Sequence, residues 1–196
     1  MKKNKPVAFV GMATGREAAP FDDPAFEWWT CNGGCLYLEG MPIDICFDMH
    51  DWVKSDYYPV YYRTLQQKHD YKVVRPFMDK SVPNCEVFPI SEANAYFKHH
   101  VFASTMSYII AYALVKGKHD LYIWGMNTAE FIEYPEMGVS FGYCRGVALE
   151  YGLRVHIISP DVPSKAHGYG YRPYSWKETP EIAANHNYVI KGLNDD

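Results

Sequence analysis

Two places in this 196-residue chain carry side chains suited to moving a proton. His50-Asp51 closes the apolar run Ile43 to Met49, so a ring base sits beside a carboxylate at the end of a candidate strand. The two can act as base and orienter, His50 can contact a ligand, or it can cap a loop by hydrogen bonds. Adjacent residues on a strand point to opposite faces, so they pair directly only where the strand has already ended. The second candidate acid/base is Glu133, followed by Tyr134, in an acidic and aromatic loop after Asn127. A general base must come within about 3 Å of its proton. Neither residue has an orienting partner that is visible in the sequence.

Other residues are suited to holding an anion. Pro6 to Val10 reads as a buried strand that ends in the turn Gly11-Met-Ala-Thr14-Gly15-Arg16. Backbone N–H groups there, with Thr14 and the Arg16 guanidinium, can face an anion at the strand's carboxyl end. The spacing is Gly-x-x-x-Gly, neither the dinucleotide fingerprint nor a P-loop, and a tight turn without a ligand has the same sequence. Arg16 can equally balance Asp22 or Asp23. Ser104, Thr105 and Ser107 open the clearest helix of the chain, Ser104 to Lys116, where they cap it or present hydroxyls to an anion. Asn32 and Asn127 fall at strand ends, and Tyr169 and Tyr171 lie in an aromatic tail. These residues, with Gly11, Gly15, His50, Asp51, Glu133 and Tyr134, form the expected ligand set.

The elements that must position them alternate in type. Strands are expected at Pro6–Val10, Glu27–Cys31, Ile43–Met49, Tyr71–Arg75, Leu121–Gly125 and Leu153–Ile158, with an extended piece at Cys85–Ile90 and an extension or hairpin over Leu36–Met41. Helices are expected over Ser55–His69, Ser104–Lys116 and a segment running to Gly152. Glu17–Phe26, broken by two prolines, holds at most one helical turn. Gly138, Gly142 and Gly146 recur every fourth residue, which predicts a helix face for close packing on the sheet or on a second copy, so a homo-oligomer stays open. The alternation gives an α/β, Rossmann-like fold: a mostly parallel, doubly wound sheet with helices on both faces. One domain is expected over residues 1–196, with an irregular aromatic extension over 166–196.

Composition narrows the partners. A net charge of −4 lacks the basic face of a duplex binder, whose pI usually exceeds about 9, so duplex nucleic acid is not expected. No segment reaches the ~20 apolar residues of a membrane span. Five cysteines, an odd number, in a chain without a signal peptide point to reduced thiols and a cytoplasmic location. Cys31-x-x-x-Cys35 lacks the second pair that structural zinc wants, so no metal and no cofactor is expected. Aromatic residues make up 16% of the chain, enough for some to line a binding surface.

Several stretches together resemble bacteriophage-encoded, Rossmann-like proteins of mostly unassigned function. They are Val10-Gly-Met-Ala-Thr-Gly-Arg16, Ala19-Pro-Phe-Asp-Asp-Pro24 with Trp28-Trp-Thr-Cys-Asn32, Phe47-Asp-Met-His-Asp51, Phe102-Ala-Ser-Thr-Met-Ser-Tyr108, Trp124-Gly-Met-Asn127 with Glu133-Tyr134, and His167-Gly-Tyr-Gly-Tyr171. A more distant likeness is to pterin pyrophosphokinase-like and sialyltransferase-like Rossmann proteins, which use nucleotide substrates. The resemblance implies a phage origin, an intracellular protein (the host cytoplasm) and a nucleotide-like ligand. The expected function is binding of a nucleotide or nucleotide-derived molecule at the sheet's carboxyl edge, for sequestration of a host immune signal. The alternative is a nucleotide- or nucleotide-sugar-dependent transferase or hydrolase with His50 or Glu133 as acid/base.

Overall fold

Val7–Val10 is apolar at every position because it is the middle of a parallel sheet, covered on both faces, and all four residues are buried. The computed structural model describes residues 4–50, 60–98, 102–126 and 135–158. Within them, β1 (Val7–Val10), β2 (Glu27–Cys31), β3 (Ile45–Phe47), β4 (Lys72–Arg75), β5 (Cys85–Val87), β6 (Asp120–Trp124) and β7 (Arg154–Ile158) form one sheet. Its order is β5-β4-β3-β2-β1-β6-β7, and every pairing is parallel. The chain steps outward from β1 to β5, then returns to the other side of β1 as β6. The sheet is therefore doubly wound, with its switch point between β1 and β6. Open α/β sheets keep their ligands outside the strands' carboxyl ends at such a point.

Five α-helices and a short 3-10 helix at Arg16–Ala18 complete the described fold, the α-helices being α1 (Gly34–Tyr37), α2 (Val60–Leu65), α3 (Ile90–Tyr96), α4 (Thr105–Val115) and α5 (Pro135–Glu150). Strand residues alternate between two cores, as the pleat requires. Val7, Phe9, Trp29, Ile45 and Phe47 pack with α3, α4 and α5 on one face. Ala8, Val10, Trp28 and Trp124 form a cluster on the other, where Cys46 and Val73 also meet Cys35, Tyr62 and Leu65 of α1 and α2. In α4, Ile109 to Leu114 are all buried, which is why that segment is apolar nearly all round. A helix that precedes a parallel strand runs against it, so the N-terminus of α4 stands at the sheet's carboxyl edge.

Three expectations are corrected here. The extension expected over Leu36–Met41 is absent: Asn32 takes a left-handed φ of 49° and turns the chain out of β2 into α1. The extended piece expected over Cys85–Ile90 ends as β5 at Val87, and α3 begins at Ile90 directly after Pro89, whose fixed φ suits a helix start. The glycine face of α5 does not pack on the sheet at Gly142 and Gly146. Phe141, Cys144 and Ala148 face the core, whereas a Cβ added at Gly142 or Gly146 would meet nothing within 4 Å among the described residues. Gly142→Ala should therefore raise stability by about 0.5–1 kcal/mol, the difference between the two residues in a helix interior. Thermal unfolding reads that gain, and light scattering on the same variant reads whether two copies meet on this face.

The described elements all lie within Met1–Ser159, one of two units into which the chain divides. The aromatic extension, and residues 51–59 of the helix expected over Ser55–His69, lie outside the described residues. No described helix is long and apolar enough to cross a membrane.

Candidate functional site

At the switch point the turns after β1 and β6 pack backbone against backbone. Gly11 N–H donates to Trp124 O at 2.9 Å, and Ala13 N–H donates to Gly125 O at 2.9 Å. A Cβ on Gly11 would lie 2.4 Å from Gly125 O; Gly125 itself has φ 61° and would meet Ala13 O at 2.9 Å. Glycine is required at both positions by this approach. The turn also folds onto its own side chains. Gly15 N–H donates to Glu17 Oε2 at 3.0 Å, and Arg16 bonds Met12 O, lies 3.5 Å from Glu17 and stacks on the Tyr37 ring at 5.1 Å. The N–H groups of Gly11, Ala13 and Gly15, expected to stand open, are thus already taken, and the partner of Arg16 is Glu17 rather than Asp22 or Asp23. Thr14 belongs to the same turn.

Beside this turn, Asn32 directly follows β2. Its N–H donates to Phe47 O at 2.8 Å, tying the ends of β2 and β3 together. Its Oδ1 is buried and has no hydrogen-bond partner among the described residues. An unmade bond at a buried acceptor costs about 1–3 kcal/mol, so such an atom marks a place for a donor. Met12, Tyr37 and Tyr61 gather around the neighbouring Gly33, within 3.0–3.8 Å of where its Cβ would be. Tyr37 is 63% exposed, which leaves a flat apolar surface at this edge.

The next strand supplies the chemistry. β3 ends at Phe47, and the chain continues as Asp48-Met-His50. The Asp48 side chain is wholly buried, and its Oδ1 lies 3.1 Å from His50 Nδ1, while the His50 side chain is 44% exposed. The Tyr61 hydroxyl joins them, 3.4 Å from Asp48 Oδ1 and 3.4 Å from His50 Nδ1. His50 thus has an orienting carboxylate, Asp48, two residues before it; Asp51 lies outside the described residues. Asp48 accepting at Nδ1 makes Nε2 of a neutral ring the unprotonated nitrogen, the arrangement that makes an imidazole a directed base.

Behind the pair, at the end of β4, stands Arg75, wholly buried. Its Nη2 donates to His50 O at 3.1 Å, and its Nε lies 3.4 Å from Asp48 Oδ2 without hydrogen-bond alignment. Nη1 pairs with Asp79 Oδ2, which also accepts from the Tyr62 hydroxyl at 2.5 Å. Burial alone would raise the Asp79 carboxyl, but hydrogen bonds from Tyr62 and Ser81 and the Arg75 charge outweigh it and hold it below the usual range. A carboxyl depressed in the fold contributes stability that is whole above its unfolded value, near ~3.9, and that is lost as pH falls through the folded value. Followed by circular dichroism in acid, Asp79→Asn should therefore lose stability less steeply than the parent below about pH 4.

Ser104 caps α4: its Oγ accepts from Ser107 N–H at 3.3 Å. Ser107 is buried and turned to α5, with its Oγ 2.6 Å from that of Ser140, so this hydroxyl joins two helices. Ser104 and Thr105 remain half-buried at the carboxyl edge. Asn127, Glu133, Tyr134, Tyr169 and Tyr171 lie outside the described residues. Among the described residues, no three His, Cys, Asp or Glu side chains converge to hold a metal ion. Cys35 and Cys46 instead approach one another, Cys46 donating toward Cys35. That bond lowers the Cys35 thiol and, with burial, raises Cys46 well above the ordinary value.

The sequence reading missed Asp48, Tyr61 and Arg75. Asp48-x-His50 has the spacing that puts two side chains on one side of an extended chain, and Arg75 is a charge ending an apolar strand; both were available as signals.

No family model and no curated protein matches the chain by sequence. Solved structures match it by shape. The sialyltransferase CstII from Campylobacter jejuni in complex with the substrate analogue cytidine-5'-monophosphate superposes with a TM-score of 0.51 at 15% identity, over 80% of this chain and 80% of that one. The same enzyme in complex with CMP-3FNeuAc gives 0.51 at 14%, over 92% and 99%. An alpha-2,3-sialyltransferase from Campylobacter jejuni in apo form gives 0.53 at 13%, over 97% and 96%. At these identities the likeness is one of fold, and it agrees with the Rossmann-like architecture and with the sialyltransferase-like resemblance.

Proposed function

We propose that this protein binds a nucleotide or nucleotide-linked sugar along the carboxyl edge of the sheet and transfers the group that the nucleotide carries, with His50 as proton acceptor. The observation that carries this reading is the buried Asp48 carboxylate on Nδ1 of a half-exposed His50, at the strand edge where this architecture keeps its ligands. The fold neighbours in complex with CMP and a CMP-sugar analogue support the ligand class. Asn32 Oδ1 accepts an N–H of the base, which stacks against Tyr37, Tyr61 and Met12. Strands stand ~4.8 Å apart, so the ends of β3, β2, β1 and β6 give an extended ligand several successive contacts. The N-terminus of α4, with Ser104 and Thr105, faces the phosphate, with Thr14 and the Arg16 guanidinium of the turn after β1 beside it. Asp51, Asn127, Glu133 and Tyr134 are further contacts in this reading.

In the reaction, His50 Nε2 takes the proton of an acceptor hydroxyl as its oxygen attacks the sugar carbon bonded to phosphate. The carbon–oxygen bond to phosphate breaks, and its electron pair leaves with the nucleotide. Asp48 stabilises the imidazolium that forms. Water as acceptor makes the same step a hydrolysis.

Incubation of the protein with a panel of nucleotide-linked sugars, followed by mass spectrometry of the small molecules, tests this directly. Release of the free nucleotide from one of them is expected. A ligand recovered bound and unchanged would instead favour capture without turnover, the role of a phage protein that sequesters a host signal. Neither binding nor release would overturn both.

A further inference from the structure

We infer that Arg75 is a positioning residue for His50, fixing the ring against Asp48 from inside the fold; the inference rests on the reading of His50 as proton acceptor. Arg75 is wholly buried. Its guanidinium meets both ends of the segment Asp48-Met-His50: Nε faces the Asp48 carboxylate at 3.4 Å, and Nη2 donates to the His50 carbonyl at 3.1 Å. The residue bearing the base and the carboxylate that orients it are thereby referred to one rigid plane.

That plane is held in turn. Nη1 pairs with Asp79, and the rings of Tyr62 and Phe77 lie 5.1 and 4.9 Å from the guanidinium carbon. Asp79 also accepts from the Tyr62 hydroxyl and from Ser81, so its carboxylate has little freedom. Two carboxylates, those of Asp48 and Asp79, share the Arg75 cation. A lysine at position 75 would supply the same charge, but as a point on a flexible stem it cannot hold three partners in one plane. Arg75→Lys thus separates neutralising the carboxylates from positioning them.

The test uses the full chain with its histidine rings labelled with 15N, observed without any ligand at a pH where the ring is neutral. The parent should show His50 as a single Nδ1–H tautomer donating to Asp48. Arg75→Lys should show a mixture of tautomers and, in the nucleotide-sugar assay, a kcat roughly 100-fold lower, the scale of a misplacement of about 1 Å, with KM unchanged. Asp79→Ala, which frees Nη1, should show the same mixture and carries the test if Arg75→Lys does not fold. A single Nδ1–H tautomer retained in the folded variants would overturn the inference. The tautomer is read without substrate: a mixture in the variants with no turnover by the parent would remove the proposed reaction and leave the positioning role standing.

Discussion

His50→Gln is expected to lower turnover of a nucleotide-linked substrate by roughly 10²–10⁴-fold, the range lost with a general base, while leaving ligand affinity unchanged. Glutamine keeps an amide near the place of the ring nitrogen and can still bond Asp48, so the fold and the binding surface persist. It has no lone pair that takes a proton at neutral pH. A fall in kcat with KM constant is the signature of an interaction made only in the transition state. An equal fall in affinity would instead make His50 a ligand contact, and an unchanged kcat would remove it from the chemistry.

Arg75→Met is expected to cost about 3–5 kcal/mol, the scale for removing one partner of a buried ion pair. Methionine fills similar space, so the loss is one of charge: Asp48 and Asp79 are left without their shared cation, Asp48 wholly buried. Adding Asp79→Asn should recover part of the loss, because it removes one of the two stranded carboxylates. Urea unfolding checks both steps through midpoints at constant slope. A single variant as stable as the parent would show that the cluster contributes nothing to the fold.

The sheet was legible because a parallel strand covered on both faces leaves a continuous apolar run, as at Val7–Val10 and in Val73-Val74 of β4. The helix α4 was legible for the same reason, being buried nearly all round and opened by a capping serine. α1 and α3 are four and seven residues long, too short for a periodic pattern to emerge above their flanking loops. The site was legible only in outline. Asn32 directly follows β2 and His50 lies three residues beyond β3, but the Asp48-x-His50 spacing that gives His50 its partner was passed over for the adjacent Asp51. The turn at Gly11 looked open because its acceptors, Trp124 O and Gly125 O, belong to the end of β6 and the turn after it, distant in sequence and adjacent only in the folded sheet. Ser107 likewise reads as a polar residue near a helix start, and only the approach of Ser140 on α5 shows it to be part of a seam between helices.

Calorimetric titration of CMP and the other nucleoside monophosphates into the parent protein and into Asn32→Gly tests the nucleotide site most directly. Glycine keeps the left-handed φ at position 32 and removes only the side chain with the unpartnered Oδ1. The expected result is a binding isotherm with at least one nucleotide, weakened in Asn32→Gly by roughly 0.5–1.5 kcal/mol, the worth of one hydrogen bond. No heat with any nucleotide, or equal affinity in parent and variant, would contradict the account.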